Sequence, residues 1–257
     1  MDIYILSSGR SNKQTTWASL PRDVQARTKI VVPHNEREAY KAFPLFSTPP
    51  EIKGIGPTRQ WVLENSVKKV VMLDDDLVFA MRREDNPSLF QNATDAEVVK
   101  LFKDIETHLD DHAHVGVATR EGGNRNTEDY ILNTRMMRIL AYDAELVRGH
   151  KLKYHRVQFM EDFDMTLQLL RLGYSNLLIN WVVQNQSGSN LQGGCSQYRN
   201  VQTQELAAHM LKEHHPDFVR VVIKQTQVAW TGMKQRTDVV ISWKKAYSEG
   251  ATKYGSR

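Results

Sequence analysis

Short apolar runs alternate with helical patterns along the first two-thirds of the chain, and this alternation limits the fold more than any other feature. The runs at residues 3–6, 29–32 and 70–73 are rich in Val, Ile and Leu and are bounded by polar, Gly or Pro residues, which is typical of buried strands. Strands that alternate with helices predict an α/β protein, here a three-layer α/β/α sandwich with a mostly parallel central sheet.

The same patterns predict the remaining elements. We expect helices over 57–65, 95–109, 161–172 and 205–213, with Thr94 as the N-cap of the second and Gly173 ending the third. We expect further strands at 115–118, 138–142, 177–183, 218–230 and 239–243, a long loop over 184–200 and a frayed tail over 248–257.

The composition excludes several classes of protein. Of 257 residues, 40% are apolar and 9% aromatic, too many for a disordered chain. The single Cys excludes an internal disulfide and a zinc site built from cysteines. No apolar segment approaches the roughly 20 residues that span a bilayer, and we find no signal segment. We therefore expect a cytoplasmic protein without a membrane partner. The net charge of +4 leaves a nucleic-acid partner open.

Three consecutive aspartates, Asp74, Asp75 and Asp76, follow the apolar run at residues 70–73. Ligands of open α/β sheets bind at the carboxyl ends of the strands, and hard oxygen donors there suit Mg²⁺ or Mn²⁺ bridging phosphates. Because side chains alternate along a strand, we expect Asp74 and Asp76 on one side and Asp75 on the other. Two alternatives are a solvated acidic turn and a haloacid-dehalogenase-type phosphatase motif with Asp74 as the nucleophile.

The chain resembles a GT-A glycosyltransferase over roughly residues 1–183. The resemblance rests on five segments in the family's order: the strand and loop at 3–10, residues 31–36 with Tyr40 beyond them, residues 54–59 before a helix, the DxD-like residues 73–76, and Met160-Glu-Asp-Phe-Asp-Met165 before a Leu-rich helix.

The resemblance implies metal-dependent transfer of a sugar from a UDP-sugar donor. It assigns nucleotide-sugar binding to Ser7, Ser8, Gly9, Arg10, Pro33, Glu36, Arg59, Asp74 and Asp75, and binding of Mn²⁺ or Mg²⁺ to Asp74 and Asp76. It implies that Asp162, or as second choice Glu161, takes the proton of the acceptor hydroxyl. Acids in a first helical turn also stabilise a helix without any catalytic role. Candidates for a third metal ligand, often His in GT-A enzymes, are His209, His214 and His215.

A narrower resemblance is to phage glycosyltransferases associated with TET-type dioxygenases, which modify 5-hydroxymethylcytosine in DNA. The compact length, the Ser-Ser-Gly-Arg loop at residues 7–10 and the Gln/Asn/Gly-rich loop are similar. The resemblance implies that the acceptor is the hydroxymethyl group of 5-hydroxymethylcytosine in double-stranded DNA. A glycosyltransferase with a non-DNA acceptor and a non-catalytic nucleic-acid-binding protein are the alternatives.

The acceptor side is predicted from loops and aromatic residues. The candidates are Gly122, Gly123 and Asn124 in one loop, Gly193 and Gly194 in the long loop, and Trp181 as a stacking face, although such a tryptophan is more often core. The basic residues Lys224, Lys234, Arg236, Lys244 and Lys245, interleaved with Trp230 and Trp243, suit DNA phosphates or an ordinary solvated face. We expect one domain over 1–257, with a nucleotide-sugar-binding half at 1–110 and an acceptor-binding half at 111–257.

Overall fold

The computed structural model describes residues 1–121, 126–186, 200–225 and 235–257. Its strands are β1 (Asp2–Leu6), β2 (Thr28–Val32), β3 (Leu45–Ser47), β4 (Lys69–Asp74), β5 (Leu77–Arg82), β6 (Phe90–Asn92), β7 (His114–Thr119), β8 (Tyr130–Leu132), β9 (Ile139–Asp143), β10 (Asn176–Gln186), β11 (Val219–Gln225) and β12 (Gln235–Ile241). Its helices are α1 (Thr15–Ser19), α2 (Arg22–Gln25), α3 (Ile55–Asn65), α4 (Asp95–His108), α5 (Ala144–Gly149), α6 (Glu161–Leu170), α7 (Val201–His214) and α8 (Trp243–Tyr254), and a 3₁₀ helix spans His34–Tyr40.

The first ten strands form one sheet with the order β3-β2-β1-β4-β9-β7-β10-β5-β6, and β8 pairs with β10. Strands β5, β8 and β9 run against the other seven, so the predicted mostly parallel sheet is confirmed. Leu6 of β1 pairs with Val31 of β2 on one side and with Asp74 of β4 on the other. This register brings the carboxyl ends of the three strands to one level at one edge of the sheet.

Helices cover both faces of the sheet, as the predicted three-layer sandwich requires. On one face, Ile5 of β1 packs in a cluster with Leu101 and Phe102 of α4. On the other face, the neighbouring Tyr4 packs in a cluster with Leu63 of α3. Successive side chains of a strand point to opposite faces, and here both faces are buried. Strands buried on both faces read as the continuous apolar runs from which they were predicted.

The predicted helix ends follow local signals. Thr94 caps α4 in a reciprocal capping box with Glu97, in which each side chain accepts a hydrogen bond from the other residue's backbone N–H. Helix α6 ends three residues before Gly173, whose φ of 81° lies in the left-handed region that favours glycine. The loop predicted over 184–200 begins later than expected, because β10 continues to Gln186; residues 187–199 lie outside the described ranges.

The C-terminal segments pack on α6 and form a third apolar cluster. Leu167 and Leu170 of α6 contact a cluster that includes Leu211 of α7, Val239 of β12 and Ala246 of α8. Strands β11 and β12 pair antiparallel with each other in a separate two-stranded sheet. Two strands were predicted here with different bounds, and residues 226–234, which include the last five residues of the first predicted strand, lie outside the described part of the chain.

The tail predicted to be frayed is instead helical and attached to the body of the protein. Helix α8 extends to Tyr254, and the backbone of Arg257 donates to the carbonyl of Gly173 and accepts from the N–H of Ser175, both at 2.9 Å. A Cβ added at Gly250 would lie 2.3 Å from the carbonyl oxygen of Leu170. The absence of a side chain at Gly250 therefore allows α8 to lie directly against α6, and composition alone did not reveal this contact. In the described ranges, no helix is long and apolar enough to cross a membrane.

One histidine is held neutral in the core beneath α6. His114, fully buried at the start of β7, stacks on Tyr142 with ring centres 4.2 Å apart, and its Nδ1 donates to the carbonyl of Ala141 at 2.8 Å. Burial lowers the pKa of His114 from 6.5 to about 4, while the hydrogen bond to Ala141 opposes the shift. The unfolded chain therefore takes up a proton at this residue over a pH range in which the folded chain does not.

We expect His114 to destabilise the fold as the pH falls from about 6.5 to about 4. Above that window both states are neutral at this residue; within it, each pH unit costs at most about 1.4 kcal/mol of the free energy of unfolding. The variant His114→Gln should flatten the dependence of that free energy on pH, as measured by urea unfolding at a series of pH values. The exposed His209→Gln is the control and should keep the wild-type slope. Equal slopes in all three proteins would contradict the assignment.

Candidate active site

The candidate site lies at the level carboxyl ends of β1, β2 and β4. Ser7 follows β1, Pro33 follows β2 and Asp74 ends β4. The register that pairs Leu6 with Asp74 places the loop after β1 beside the aspartate cluster. Sequence-predicted residues from three separate segments thus meet at one edge of the sheet, which is where ligands bind in open α/β folds.

Asp75 is held by the loop after β1. Ser7 Oγ donates to Asp75 Oδ2 at 2.5 Å, and Arg10 Nη1 lies 2.7 Å from Asp75 Oδ1. Tyr40 Oη contacts Ser7 Oγ and accepts the backbone N–H of Arg10, both at 2.9 Å, and Gln14 Nε2 donates to Ser7 Oγ at 2.8 Å. Because Ser7 and Arg10 engage both carboxylate oxygens of Asp75, this residue holds the loop in place rather than facing an open position.

Asp76 has one satisfied and one unsatisfied carboxylate oxygen. Its Oδ2 accepts from Arg10 Nη1 at 2.9 Å and from Gln186 Nε2 at 2.6 Å. Its Oδ1 is buried and has no hydrogen-bond partner among the described residues. A buried carboxylate oxygen without a partner is costly, so this atom is an available acceptor for a cation or a donor group.

The predicted alternation of the three aspartates is wrong. Asp75 and Asp76 share Arg10, whereas Asp74 pairs with Arg59. Strand β4 ends at Asp74, and the next two residues form the turn into β5. Side chains alternate only along an extended strand, so the rule did not apply beyond Asp74.

The loop after β1 also contacts the 3₁₀ helix that follows β2. Glu36 accepts from Ser8 Oγ and from the backbone N–H of Gly9, both at 2.6 Å. Gly9 has a φ of 69°, a conformation that other residues adopt at a cost. The N-cap of the 3₁₀ helix is Pro33. Of the residues predicted to bind the nucleotide, Ser8, Gly9, Pro33 and Glu36 therefore belong to one continuous surface.

Arg59 of α3 connects the aspartate cluster to the first turn of α6. Its side chain is 6% exposed; Nη1 donates to Glu161 Oε1 at 2.7 Å and Nη2 donates to Asp74 Oδ1 at 3.1 Å. The guanidinium carbon also lies 5.7 Å from the centre of the Tyr154 ring. One buried cation thus fixes the separation between the predicted metal-binding and catalytic carboxylates.

The three acids in the first turn of α6 have different surroundings. Glu161 is buried against Arg59, whereas Asp164, almost one helical turn further along, is buried where it accepts from Arg156 Nε at 2.9 Å and contacts His215 Nε2 at 2.8 Å. Asp162 is half-buried, and its Oδ1 accepts from the N–H of the next residue at 2.9 Å. Asp162 is therefore the most accessible of the three carboxylates.

The residue before these acids has a strained backbone. Met160, the N-cap of α6, adopts φ 61° and ψ 25°, in the left-handed region. Such conformations cost on the order of 1 kcal/mol or more and persist only where the surrounding structure enforces them. Here the left-handed conformation of Met160 turns the chain so that the first turn of α6 faces Arg59.

Burial shifts the titration of the two carboxylates that Arg59 joins. It raises the pKa of Asp74 to about 6 and that of Glu161 to about 7, although the charge of Arg59 opposes both shifts. Negative charge on Asp75 and Asp76 adds to the shift at Asp74. Further positive charge at this edge of the sheet would favour the ionised forms.

The residues present fit a divalent cation bound together with a phosphate ligand. The fit rests on the unsatisfied Oδ1 of Asp76 and on the raised pKa of Asp74. Within the described ranges, no three His, Cys, Asp or Glu side chains gather as a complete metal site, so water and ligand oxygens would complete the coordination, as Mg²⁺ commonly allows. His215, a candidate third ligand, has both ring nitrogens engaged, Nε2 by Asp164 and Nδ1 by Arg171 at 3.0 Å.

Comparison with known proteins identifies the family. Residues 1–194, well over half of the chain, match the family described as TET-Associated Glycosyltransferase. The chain belongs to this family. It is therefore a glycosyltransferase, and the alternatives of a phosphatase and of a non-catalytic nucleic-acid-binding protein are set aside.

This TET-associated glycosyltransferase is similar to one curated relative and to several solved structures. It is 22% identical over 209 residues to the beta-glucosyl-HMC-alpha-glucosyl-transferase of Enterobacteria phage T2, covering 74% of this chain and 73% of the relative. It resembles a mannosyltransferase from Pyrobaculum calidifontis, solved with GDP-Man and Mn²⁺, with a TM-score of 0.52 and 14% identity over 83% of this chain. It also matches S. aureus TarS 1-349 with a TM-score of 0.46 and 12% identity over 82% of this chain. The chain spans 62% and 66% of these two structures. The mannosyltransferase supports the GT-A fold.

Of the predicted acceptor residues of the TET-associated glycosyltransferase, only Trp181 lies in the described part of the chain. Trp181 is buried in the core beside α4, where its Nε1 donates to Asp104 Oδ2 at 3.1 Å and Lys100 lies over its ring. We therefore do not keep Trp181 as a stacking platform. Gly122, Gly123, Asn124, Gly193 and Gly194 lie outside the described residues.

Sequence reasoning missed three side chains that help to build the site. Gln186 at the end of β10 contacts Asp76, Tyr154 lies against Arg59, and Thr16 Oγ1 donates to the carbonyl of Asp74 at 2.6 Å. None of the three lies in a recognisable motif. A prediction that extended β10 to Gln186 would have placed this residue near Asp76, because the antiparallel register pairs Gln186 with Leu77.

Removing Arg59 should destabilise the TET-associated glycosyltransferase more than removing an exposed arginine. Arg59→Met leaves Asp74 and Glu161 without their shared cation, a loss of about 3–5 kcal/mol for a broken buried pair. Arg37→Met is the control: Arg37 pairs with Glu38 at the surface, with both side chains more than half exposed, and its replacement should cost at most about 1 kcal/mol. Urea unfolding at neutral pH measures both.

The double variant Arg59→Met/Glu161→Gln separates charge from packing. If Arg59 acts by neutralising Glu161, the double variant should recover part of the stability that Arg59→Met loses. A double variant less stable than Arg59→Met would contradict this assignment and would attribute the loss to the packing of Arg59 on Tyr154.

Proposed function

We propose that this protein transfers a sugar from a UDP-sugar to the hydroxymethyl group of 5-hydroxymethylcytosine in double-stranded DNA, with Mn²⁺ or Mg²⁺ as cofactor. One observation carries the proposal: Arg59 holds the aspartate cluster, which includes an unsatisfied buried carboxylate oxygen, next to the acids of α6. A cation on the aspartates would thus hold the donor phosphates next to the acids of α6, where the acceptor hydroxyl would bind.

The donor would bind at the edge of the sheet formed by residues of the 1–110 half. Asp74 and Asp76 would hold the cation, which when bound stabilises the negative charge that develops on the leaving nucleoside diphosphate. The surface formed by Ser8, Gly9 and Glu36 would contact the nucleoside, and Arg10 would balance Asp75 and Asp76. Residues 111–257 would then provide the acceptor side.

Asp162 is the group that would accept the proton of the acceptor hydroxyl. Its carboxylate is the accessible one in the first turn of α6, whereas Glu161 is held by Arg59. A general base must lie within hydrogen-bond reach of the hydroxyl that it deprotonates, and a carboxylate already paired in the core cannot move to it freely. We therefore assign proton transfer to Asp162 and the positioning of Arg59 to Glu161.

The DNA acceptor rests on the family and on the relative from phage T2. The family is described as TET-associated, and the name of the relative refers to HMC and to its β-glucosylated form. We extend that acceptor class to this chain, which as a phage-type DNA-modifying enzyme would act in the host cytoplasm. A base inside a duplex would have to be flipped out for its hydroxymethyl group to reach the donor.

Binding of UDP should depend on a divalent cation and on Asp76. In isothermal titration, UDP should bind the wild-type protein with Mn²⁺ and much more weakly with EDTA, and Asp76→Asn should weaken the Mn²⁺-dependent binding by at least about tenfold. Asp111→Asn, which changes an exposed aspartate remote from the cluster, is the control. Unchanged UDP affinity in Asp76→Asn would exclude the metal role of Asp76.

Sugar transfer should require Asp162 but UDP binding should not. Wild-type protein incubated with hydroxymethylated duplex and UDP-glucose, UDP-galactose or UDP-N-acetylglucosamine should give a nucleoside of higher mass after digestion. Asp162→Asn should lower kcat by about 10²–10⁴-fold at unchanged UDP affinity. Glu145→Gln, which removes a first-turn acid from α5, controls for the effect of the helix dipole.

Two results would change this assignment. Full activity of Asp162→Asn would exclude Asp162 as the base, and loss of activity in Glu161→Gln at unchanged stability would then favour Glu161. Absence of product from both hydroxymethylated and β-glucosylated duplex with all three donors, by a protein that binds UDP with Mn²⁺, would favour a non-DNA acceptor.

A further inference from the structure

A second group of charged residues lies on the C-terminal side of the site. Arg135, in the segment between β8 and β9, places its guanidinium carbon 4.8 Å from the centre of the Phe163 ring, next to Asp162 in the first turn of α6. The ring of Phe163 also packs edge-on against Trp243, the first residue of α8. Arg135 therefore lies where the acids of α6 meet the C-terminal segments.

Within the described part of the chain, no anion pairs with Arg135, although carboxylates are nearby. Asp162 and Asp238 lie within electrostatic range of its guanidinium, and so do the cations Arg138 and Arg236. Among the described residues, Arg135 makes no hydrogen bond or ion pair, and the residue is exposed at the surface with its guanidinium over the Phe163 ring. The arrangement leaves its five N–H donors available to an incoming anion.

The hairpin of β11 and β12 extends this group of cations. In its register Arg220 lies opposite Val240, Val222 opposite Asp238, and Lys224 opposite Arg236. Directly opposite residues share one face of an antiparallel pair, so the three cations share a face with the single acid Asp238. The other face carries the alternate residues, including the buried Val219 and Val239, which join the apolar cluster with α6 and α7.

Asp238 cannot neutralise this face. Its Oδ2 lies 3.0 Å from Lys224 Nζ and 3.1 Å from Arg236 Nη2, so one carboxylate serves two cations. Both cationic side chains remain more than 40% exposed. With Arg135 and Arg220 added, four cations surround one acid of the hairpin. The surface therefore has a local excess of positive charge.

The net positive charge of the chain lies in its C-terminal part, which includes the hairpin. Residues 201–257 contain nine Lys and Arg and five Asp and Glu, a net charge of +4, which equals the net charge of all 257 residues. The first 200 residues are therefore neutral overall. A neutral body with a basic C-terminal part beside the acids of α6 is suited to a polyanion that reaches the site from that side.

We propose that Arg135, Arg236 and Lys224 form a phosphodiester-binding surface that holds the sugar-phosphate backbone of the acceptor beside Asp162. That the anion is acceptor DNA rests on the proposed function. The donor diphosphate is a less suitable occupant of this surface, because the proposed function places the donor at the aspartate cluster, beside Arg10 and Arg59. In addition, the cations of the hairpin extend over two strands, more than one diphosphate needs.

Direct binding of DNA tests this surface without any requirement for sugar transfer. Fluorescence anisotropy with an unmodified duplex would be measured over a series of NaCl concentrations for the wild type, Arg135→Gln, Arg236→Gln and Lys253→Gln. Each lost phosphate contact should weaken binding and reduce the slope of log K against log salt by about 1. Lys253→Gln is the matched control, because it removes one charge of the same C-terminal region from the last turn of α8, away from the hairpin.

An acceptor without phosphates shows whether Arg135 acts through the phosphates of the acceptor. With duplex as acceptor, Arg135→Gln should raise KM while leaving the affinity for UDP and Mn²⁺ at the wild-type value. With the free nucleoside 5-hydroxymethyl-2′-deoxycytidine, which has no phosphate, Arg135→Gln and wild type should react at the same rate. Thermal unfolding of each variant checks folding, and Arg236→Gln tests the same surface if Arg135→Gln proves unstable.

The outcomes separate the surface from the proposed function. A wild type that does not bind duplex, or variants whose salt slopes equal the wild-type slope, would overturn the surface while leaving sugar transfer intact. Loss of UDP affinity in Arg135→Gln with an unchanged salt slope would assign Arg135 to the donor and also overturn it. A wild type that binds duplex through these residues but glycosylates no hydroxymethylated DNA would support the surface and overturn the proposed acceptor reaction.

Discussion

The ion pairs of Arg59 are the interaction on which the site depends. The parallel strands place carboxylates at one edge of the sheet, α6 adds more, and burial raises the pKa of both Asp74 and Glu161. Without a cation between them these groups would repel each other or become protonated. Arg59 contacts both at hydrogen-bond distance and so joins the aspartate cluster to the first turn of α6. The relative position of the two carboxylates is therefore a property of one buried side chain.

The first turn of α6 connects three parts of the protein. Glu161 turns to Arg59 and the sheet edge, Asp164 turns to Arg156 and His215 under the C-terminal segments, and Asp162 between them is the accessible acid. Successive positions of a helix point about 100° apart, so Asp162 faces different surroundings from Glu161. The same carboxylate chemistry thus anchors the helix through two sets of partners and leaves one group available for an acceptor.

Much of the fold was predictable because its signals are local. Apolar runs identified the strands of the sheet, Thr94 and Glu97 marked the start of α4, and Gly173 marked the end of α6. Signals of the same kind failed where long-range contacts decide. The tail after residue 248 looked polar and frayed, but Gly250 lets α8 approach the backbone of α6 closely enough to hold it. Trp181 looked like an available aromatic face, but its strand places it against α4.

For the site, the sequence by itself determined which chemical groups are present and on which elements they lie. The aspartates follow a strand and the acids open a helix, since both positions depend on local patterns. Only the tertiary structure decided how the groups pair. Asp74 pairs with Arg59 while Asp75 and Asp76 share Arg10, because the strand ends at Asp74 and the chain turns there, and Arg59 meets Glu161 across 102 positions of the chain. Such contacts depend on sheet register and helix packing, which no short stretch of sequence encodes.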